Sequence, residues 1–269
     1  MNQSLTTSMV DNPALWRLSM MIGEGGIDVL CRRELGEPET LTGRLTFDAS
    51  AESSPRAVED LVYANPLLLQ PFRKVDIVMS GGFTLTVPFG TDTSDVDALF
   101  PSDDPTVTLS APIDARNEIL FRVERGVNNF LRRTFDSVRP VHALSVLGQY
   151  FETRSRLGNS AKMFVDIEDE IMNVLVFNHL GLAMASNFKY RNINDATYYA
   201  LASANTAGLD FTNDEIKIAG NSDKRAEIMP ILRQFARNVM PAIFPSVAAV
   251  GDSAAMSAPF PLVIMPLCE

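Results

Sequence analysis

Cysteine and histidine are scarce in this chain, which has two of each among its 269 residues. Cys31 and Cys268 lie near opposite ends of the sequence, so we expect two reduced thiols rather than a disulfide, which fits a reducing compartment. His142 and His179 are not spaced as a metal-binding HxxH pair, and neither cysteine has a nearby partner. A zinc site is therefore not expected.

Positive charge is also in deficit. The chain has 23 Lys and Arg against 33 Asp and Glu, a net charge of −10 and a pI near 4.8. Proteins that bind nucleic acid hold its phosphate backbone chiefly through clustered Lys and Arg. The charge balance therefore argues against nucleic acid, and equally against anionic membranes, as a partner.

Long apolar runs are absent. No stretch approaches the roughly eighteen apolar residues that a membrane-spanning helix needs, and the apolar C-terminal segment is interrupted by Pro259, Pro261 and Pro266. The first residues have no basic group before an apolar run and no small-residue cleavage pattern, so they do not resemble a signal peptide. We expect no stable membrane insertion and a cytoplasmic location.

Common catalytic motifs are missing as well. The sequence contains no GxSxG nucleophile elbow and no GxGxxG dinucleotide fingerprint, since the glycine pair in MSGGFTL does not have that spacing. Neither a Ser-His-Asp hydrolase nor a dinucleotide-dependent enzyme is expected, and no motif implies a cofactor.

What the chain does contain is a pattern that occurs twice. Each half reads as a hairpin, a third strand, a helix, an apolar strand ending in glycine, and a further helix. A shift of 145 residues places the segment 28–31 (DVLC) on 173–176 (NVLV), and Leu35-Gly36 on Leu180-Gly181. Repetition at a fixed offset favours duplication. We predict an α/β fold with two related domains, residues 1–138 and 139–269.

Other predictions concern single elements. A helix is expected to start after Ser54 and to end before Pro66. The segment from Asp92 to Pro112 is rich in Asp, Ser, Thr and Pro, so it is predicted to be mostly loop with a helical turn at Asp95 to Phe100. A last helix is expected from Asp223 to about Asn238.

Two pairs of large side chains could form a recognition surface, because methionine and aromatic residues are favoured at interfaces. These pairs are Met20-Met21 and Tyr198-Tyr199. Tyr199, however, has apolar neighbours at helical spacing, which favours a place in the core.

One stretch resembles a known family. Its motifs are a Phe177-Asn178 turn, a strand with Phe188-Lys189-Tyr190, a helix with Asp195 and Tyr198-Tyr199, and a strand ending Ile218-Ala219-Gly220. This pattern resembles an uncharacterised Bacteroidetes family of actin-like proteins, and the element order of the whole chain resembles the actin-like ATPase superfamily. The resemblance implies two ribonuclease-H-like lobes, related by duplication, that face each other across a nucleotide cleft.

The resemblance also implies where a nucleotide would bind. Active members of the superfamily carry Asp-x-Gly and further small residues in the two hairpin turns, because bare backbone lets amide groups approach phosphate oxygens. If a nucleotide binds here, the matching positions are Gly23, Gly25, Gly26, Asp166 and Gly220. The first turn lacks the aspartate that would organise magnesium, since Met21 or Ile22 takes its place. In the second turn, Glu168-Asp169-Glu170 replaces the phosphate cradle.

The acidic turn has two interpretations. Asp166 and Glu168 could hold a hard cation such as magnesium or calcium, which prefer oxygen ligands. Alternatively, the turn is a solvated acidic loop, the usual setting of charged residues. Without a metal, a phosphate about 4 Å from such a carboxylate is repelled by about 4 kcal/mol at an effective dielectric near 20.

Two functions follow from these observations. The first is a non-catalytic actin-like scaffold with a degenerate nucleotide cleft, which binds a protein or peptide partner and needs no cofactor. The alternative is a divergent ATPase or kinase that uses ATP and magnesium. The acidic turn favours the scaffold, because it supplies neither small residues nor positive potential for a phosphate.

Overall fold

The computed structural model describes residues 6–47, 54–102, 104–135, 138–156, 158–245 and 255–268. In chain order the strands are β1 (Trp16–Gly23), β2 (Gly26–Arg33), β3 (Thr40–Thr46), β4 (Lys74–Met79), β5 (Thr84–Pro88), β6 (Thr106–Pro112), β7 (Asn117–Glu124), β8 (Val141–His142), β9 (Lys162–Ile167), β10 (Ile171–Asn178), β11 (Gly181–Lys189), β12 (Glu215–Gly220) and β13 (Asn238–Pro241). The α-helices are α1 (Pro55–Tyr63), α2 (Thr93–Leu99), α3 (Arg125–Thr134), α4 (Ala143–Ser155), α5 (Ile193–Thr206), α6 (Ser222–Leu232) and α7 (Phe260–Ile264).

Two five-stranded sheets share one topology. Their strand orders are β3-β2-β1-β4-β8 and β11-β10-β9-β12-β13. In each sheet the first three strands are antiparallel and the last three are parallel. The cross-strand register repeats as well, because Met21 lies opposite Asp28 and Asp166 lies opposite Asn173. The duplication is confirmed, with the predicted offset between Asp28 and Asn173.

The sheet pairings bear on where one lobe ends. Val141 and His142 in β8 pair with Val78 and Met79 of β4, so the fifth strand of the first sheet follows residue 138. The C-terminal helix α7 is buried against α4 and β1 in the core of the first lobe. The division at residue 138 stays a prediction, and the chain on its far side contributes to both lobes.

A third, smaller sheet is inserted between β4 and β8, with the order β5-β7-β6. The prediction of mostly loop from Asp92 to Pro112 is wrong for β6, although α2 occupies the expected helical turn. In β6, Val107, Leu109 and Ala111 alternate with polar residues, which is the period of a strand. Because β6 is an edge strand, it tolerates the Thr, Ser and terminal Pro that suggested a loop.

Most other elements form where their residues predict. The side chain of Ser54 caps α1 by accepting a hydrogen bond from the Ala57 amide at 3.3 Å. The predicted last helix is too long, because α6 ends at Leu232 and the chain then forms β13. No described helix is long and apolar enough to span a membrane. Cys31 and Cys268 form no disulfide.

Burial settles the role of the paired large side chains. Met20 and Met21 are buried in the core of the first lobe, so they belong to the core rather than to a recognition surface. Tyr199 is half-buried and its ring stacks on Phe188 at 4.8 Å, as its spacing predicts, whereas Tyr198 is exposed.

β9 and β10 are buried along almost their whole length, since both faces of this sheet are covered.

Candidate functional site

The turns of the two equivalent hairpins face each other between the lobes. Both line a cavity of about 50 Å³, with Gly23, Gly25 and Gly26 on one side and the acidic turn 168–170 on the other. A larger cavity of about 340 Å³ adjoins it and is also lined by Gly220. The structure therefore brings the sequence-predicted glycines and the acidic turn into one region.

The glycines of the first turn have specific packing roles. Gly26 has a φ of +150°, and a Cβ there would lie 2.0 Å from the Leu45 carbonyl oxygen of β3. A side chain at Gly25 would approach the Arg44 guanidinium at 3.3 Å. At Gly23 the nearest heavy atom would be 3.7 Å away, an ordinary contact. Gly26 is thus required by the neighbouring strand, independently of any phosphate.

Gly220 also has a structural reason. Its φ is +93°, and a Cβ would lie 2.2 Å from the Ile167 carbonyl oxygen at the end of β9. The next residue, Asn221, caps α6 by accepting hydrogen bonds from the amides of Asp223 at 2.9 Å and Lys224 at 3.3 Å. The Asn221 side-chain Nδ2 also donates to Asp169 Oδ1 at 3.2 Å. The strand end and the helix start are therefore fixed by their own contacts.

Asp166 is almost completely enclosed, with 1% of its surface exposed. The prediction of a solvated acidic turn is wrong for this residue, because it points into the hairpin next to Asn173. The Asn173 side-chain amide donates to Asp166 Oδ2 at 3.1 Å, while Oδ1 has no hydrogen-bond partner among the described residues. Burial raises the pKa of this carboxyl to about 6, against the opposing effect of the Asn173 hydrogen bond.

Glu168 and Asp28 are partly buried acids near Asp166. Burial raises the pKa of Glu168 well above its usual value, and the nearby charges of Asp166, Asp28 and Asp169 add to the rise. Asp28 lies on β2 of the first lobe, and burial raises its pKa to about 6 although Arg44 opposes the rise. Acidic groups from both lobes therefore share one poorly solvated region.

One arginine joins the two sides. Arg44 Nη1, on β3, lies 3.7 Å from Asp28 in its own lobe and 3.4 Å from Asp169 in the other. A second ion pair, between Lys189 and Glu24, also links the two lobes. Sequence reasoning missed Arg44, because a single arginine on a strand carries no motif. Asp28 was visible only as part of the repeated hairpin.

The carboxyls of the cleft already contact other side chains. Among the described residues, no group of three or more His, Cys, Asp or Glu side chains is placed to hold one. Asp166 accepts its hydrogen bond from an amide, while Asp28 and Asp169 face the Arg44 guanidinium. Magnesium usually keeps several waters and takes one or two carboxylates together with substrate phosphates, so a metal site at Asp166 and Glu168 stays a prediction.

The lining of the larger cavity is mainly acidic. Within the described residues, Arg44 is the one cation that lines the larger cavity. The carboxylates lining the same cavity are Asp28, Glu168, Asp169 and Asp223. A phosphate chain there would meet net negative charge where an active site provides amide groups and a bound cation.

Comparison with known proteins gives the family. The model of the family described as "Protein of unknown function (DUF3822)" matches residues 6–239. The chain belongs to the DUF3822 family. Among curated proteins, no sequence matches it.

Comparison with solved structures identifies the fold of this DUF3822 protein. A Bacteroides thetaiotaomicron protein with an actin-like ATPase fold and unknown function is 18% identical, with a TM-score of 0.76 over 87% of this chain and 94% of that one. The PilM-PilN type IV pilus biogenesis complex contains a chain that is 13% identical, with a TM-score of 0.56 over 94% of this chain and 97% of that one. The DUF3822 protein therefore has the actin-like ATPase fold, with two ribonuclease-H-like lobes.

Proposed function

We propose that this DUF3822 protein is a non-catalytic, actin-like scaffold that binds a protein or peptide partner, and that its cleft has become a contact between the lobes. One observation carries the proposal: carboxyls occupy the place of the phosphate cradle, and the Arg44 side chain lies between Asp28 and Asp169 from opposite lobes. A nucleotide would have to displace these contacts and approach the buried Asp166 and the half-buried Glu168. We expect the protein to work without a cofactor.

The fold is compatible with partner binding. PilM, a structural neighbour, is described in a complex with PilN, so a protein of this fold can form a complex with another protein. Two cysteines without a disulfide, Cys31 and Cys268, fit a reducing compartment, and we propose a cytoplasmic location. Low identity to PilM means that the partner itself does not transfer to this chain.

The competing function is a divergent Mg-dependent ATPase or kinase. The observation in its favour is the unpartnered Oδ1 of Asp166, at the end of a central strand beside the cleft. In that case the nucleotide would contact Gly23, Gly25, Gly26, Asp166 and Gly220, and Asp166 and Glu168 would act through the metal. The acidic lining of the cavity weighs against this arrangement.

Thermal unfolding with and without Mg-ATP separates the two functions. A ligand at about one hundred times its dissociation constant stabilises a protein by roughly 2.7 kcal/mol, a readable shift in melting temperature. We expect no shift with millimolar ATP and magnesium, in the wild type or in Arg44→Ala. A clear shift that needs both magnesium and the γ-phosphate, with ADP as the control, would overturn the scaffold.

A further inference from the structure

Another cavity lies at the edge of the second sheet. It has a volume of about 340 Å³ and lies between α4, the end of β13 and the chain that follows it, as far as Pro245. β13 is the last strand of its sheet. The residues of this edge pocket indicate the chemistry of the partner that the protein binds. This inference rests on the proposed scaffold function.

The floor of the edge pocket is aromatic and firmly packed. The rings of Phe151 and Phe164 stack at 3.9 Å with an angle of 16° between them. Phe151 also stacks on Phe260, and Phe244 meets Phe260 edge to face at 5.1 Å. Because these rings support one another, the pocket is formed before anything enters it, as is usual for binding sites.

The mouth of the edge pocket carries exposed apolar side chains. Ile243 is 87% exposed and Met240 is 37% exposed, and both line the cavity. Single exposed apolar residues are ordinary, but an apolar rim around an aromatic cavity is typical of an interaction site. Burial of these two side chains against a partner would contribute to affinity through the hydrophobic effect.

The charge of the edge pocket is opposite to that of the whole protein. Arg154 and Lys217 line it, and no carboxylate does so among the described residues, although the chain has a net charge of −10. The Arg154 guanidinium lies 3.5 Å from the centre of the Tyr150 ring and donates to the Tyr150 carbonyl at 2.8 Å. Lys217 contacts Glu215 at 3.0 Å, beside the pocket.

Arg154 is held ready for an anion. The cation–π contact and the backbone hydrogen bond fix its position, while the guanidinium has further N–H donors. It forms no ion pair within the described part of the chain. A carboxylate is the partner that a positioned guanidinium binds with the best geometry.

We propose that the edge pocket binds an acidic, apolar peptide segment of a partner protein. One bulky aromatic or aliphatic side chain of the peptide enters the pocket and packs on its aromatic floor. A neighbouring carboxylate of the peptide contacts Arg154 and Lys217. The acidic cleft and the edge pocket thus select opposite charges. A partner with this segment is attracted to the edge pocket and repelled by the cleft.

Peptide display tests the proposal directly. Random peptides of about twelve residues are selected on the wild-type protein, and the winners are measured against Arg154→Glu, Ile243→Glu and the conservative Arg154→Lys. We expect selected peptides to carry a bulky apolar residue beside Asp or Glu. Arg154→Glu should weaken them at least about tenfold, the scale of one charge-assisted hydrogen bond, with partial recovery in Arg154→Lys. No selected peptide, or equal binding to Arg154→Glu, would overturn the proposal.

A pair of small probes locates the binding site and isolates the carboxylate. N-acetyl-tryptophan and N-acetyl-tryptophanamide share a ring and differ in charge. In amide NMR spectra we expect the acid to shift signals of residues 240–244 and Lys217, and the amide to do so at concentrations several-fold higher. Shifts confined to other regions, or no difference between the probes, would contradict the assignment. Melting temperatures of the variants check that each one is folded.

Two other occupants of the edge pocket are tested as well: a second copy of this chain and the segment 246–254. Self-association in sedimentation that Ile243→Glu abolishes would assign the pocket to a second copy and overturn the proposal. If peptides bind only after residues 246–254 are replaced by a Gly-Ser linker, the occupant of the pocket is that segment, and the proposal of a partner peptide is overturned. If an isolated partner binds wild type and Arg154→Glu equally, the pocket assignment fails and the scaffold stands. ATP binding in the cleft overturns the scaffold without affecting the peptide measurement.

Discussion

The first and second hairpins share one backbone arrangement and place their acidic residues differently. In the first hairpin Met21 lies opposite Asp28, and in the second Asp166 lies opposite Asn173. The acid is thus on β2 in one lobe and on β9 in the other. Each aspartate has a different partner, since Asp28 faces Arg44 while Asp166 accepts a hydrogen bond from Asn173. Duplication preserved the ladder of the sheet and left the chemistry of each turn free to change.

The turns differ in the same way. At the 145-residue offset, Gly23 and Gly25 correspond to Glu168 and Glu170, and Gly26 corresponds to Ile171. The second hairpin forms without glycine, and its first turn bond is from the Glu168 amide to the Ile171 carbonyl at 2.9 Å. Glycine is therefore not needed by the hairpin as such. It is needed at Gly26 because β3 comes so close there.

The largest expected effect tests that difference. Gly26→Ala should lower the free energy of unfolding by about 3 kcal/mol, because the new methyl group meets the Leu45 carbonyl and φ is positive. Gly23→Ala, the matched control in the same turn, should change stability by less than about 1 kcal/mol. Urea denaturation measures both. Equal losses would show that the turn itself, rather than the contact with β3, requires glycine.

A buried carboxyl gives the next effect. Asp166→Asn should raise the free energy of unfolding by roughly 2 kcal/mol at pH 8, because it removes a poorly solvated charge and lets the new amide donate to Asn173 Oδ1. Asp169→Asn, an exposed neighbour, should have an effect within about 0.5 kcal/mol. Chemical denaturation provides the measurement. A clear loss of stability in Asp166→Asn would mean that the carboxylate holds a favourable partner, such as a cation.

The difference in stability between the wild type and Asp166→Asn should depend on pH with a definite sign. Asp166 has a pKa of about 6 when folded and an ordinary value of 3.8, so the folded state binds more protons between these values. Wild-type stability relative to Asp166→Asn should therefore fall as pH rises from about 4 through 6, and become level above about 7. His142, whose pKa burial lowers to about 4, acts in the opposite direction but equally in both proteins. A difference that does not change with pH would refute the assignment.

The smallest effect concerns the contact between the lobes. Arg44→Ala removes two partly exposed ion pairs and leaves Asp28 without its counter-charge, so we expect a loss of about 1 kcal/mol at pH 8. The loss should shrink at pH 5, where Asp28 is protonated. Lys189→Ala, which removes the exposed pair with Glu24, should cost about 0.5 kcal/mol or less at either pH. Equal effects of the two variants would show that Asp28 does not depend on Arg44.

The repeated element order was readable because alternation, apolar runs and turn glycines are local patterns. The hairpins, their offset and most helices followed from such patterns. β6 was missed because its alternation is masked by Thr, Ser and Pro, and β13 because four residues after a helix give too short a signal. Both are edge strands, whose residues are decided by a neighbour that lies far away in the sequence.

The sequence by itself determined the twofold α/β architecture and the acidic character of the second turn, since both are written in residues close together along the chain. Only the tertiary structure decided which acids are buried, that Arg44 lies between Asp28 and Asp169, and that Arg154 and Lys217 border an aromatic pocket. Solvation and charge pairing depend on distances in space, and these distances are set when separate strands and lobes pack together.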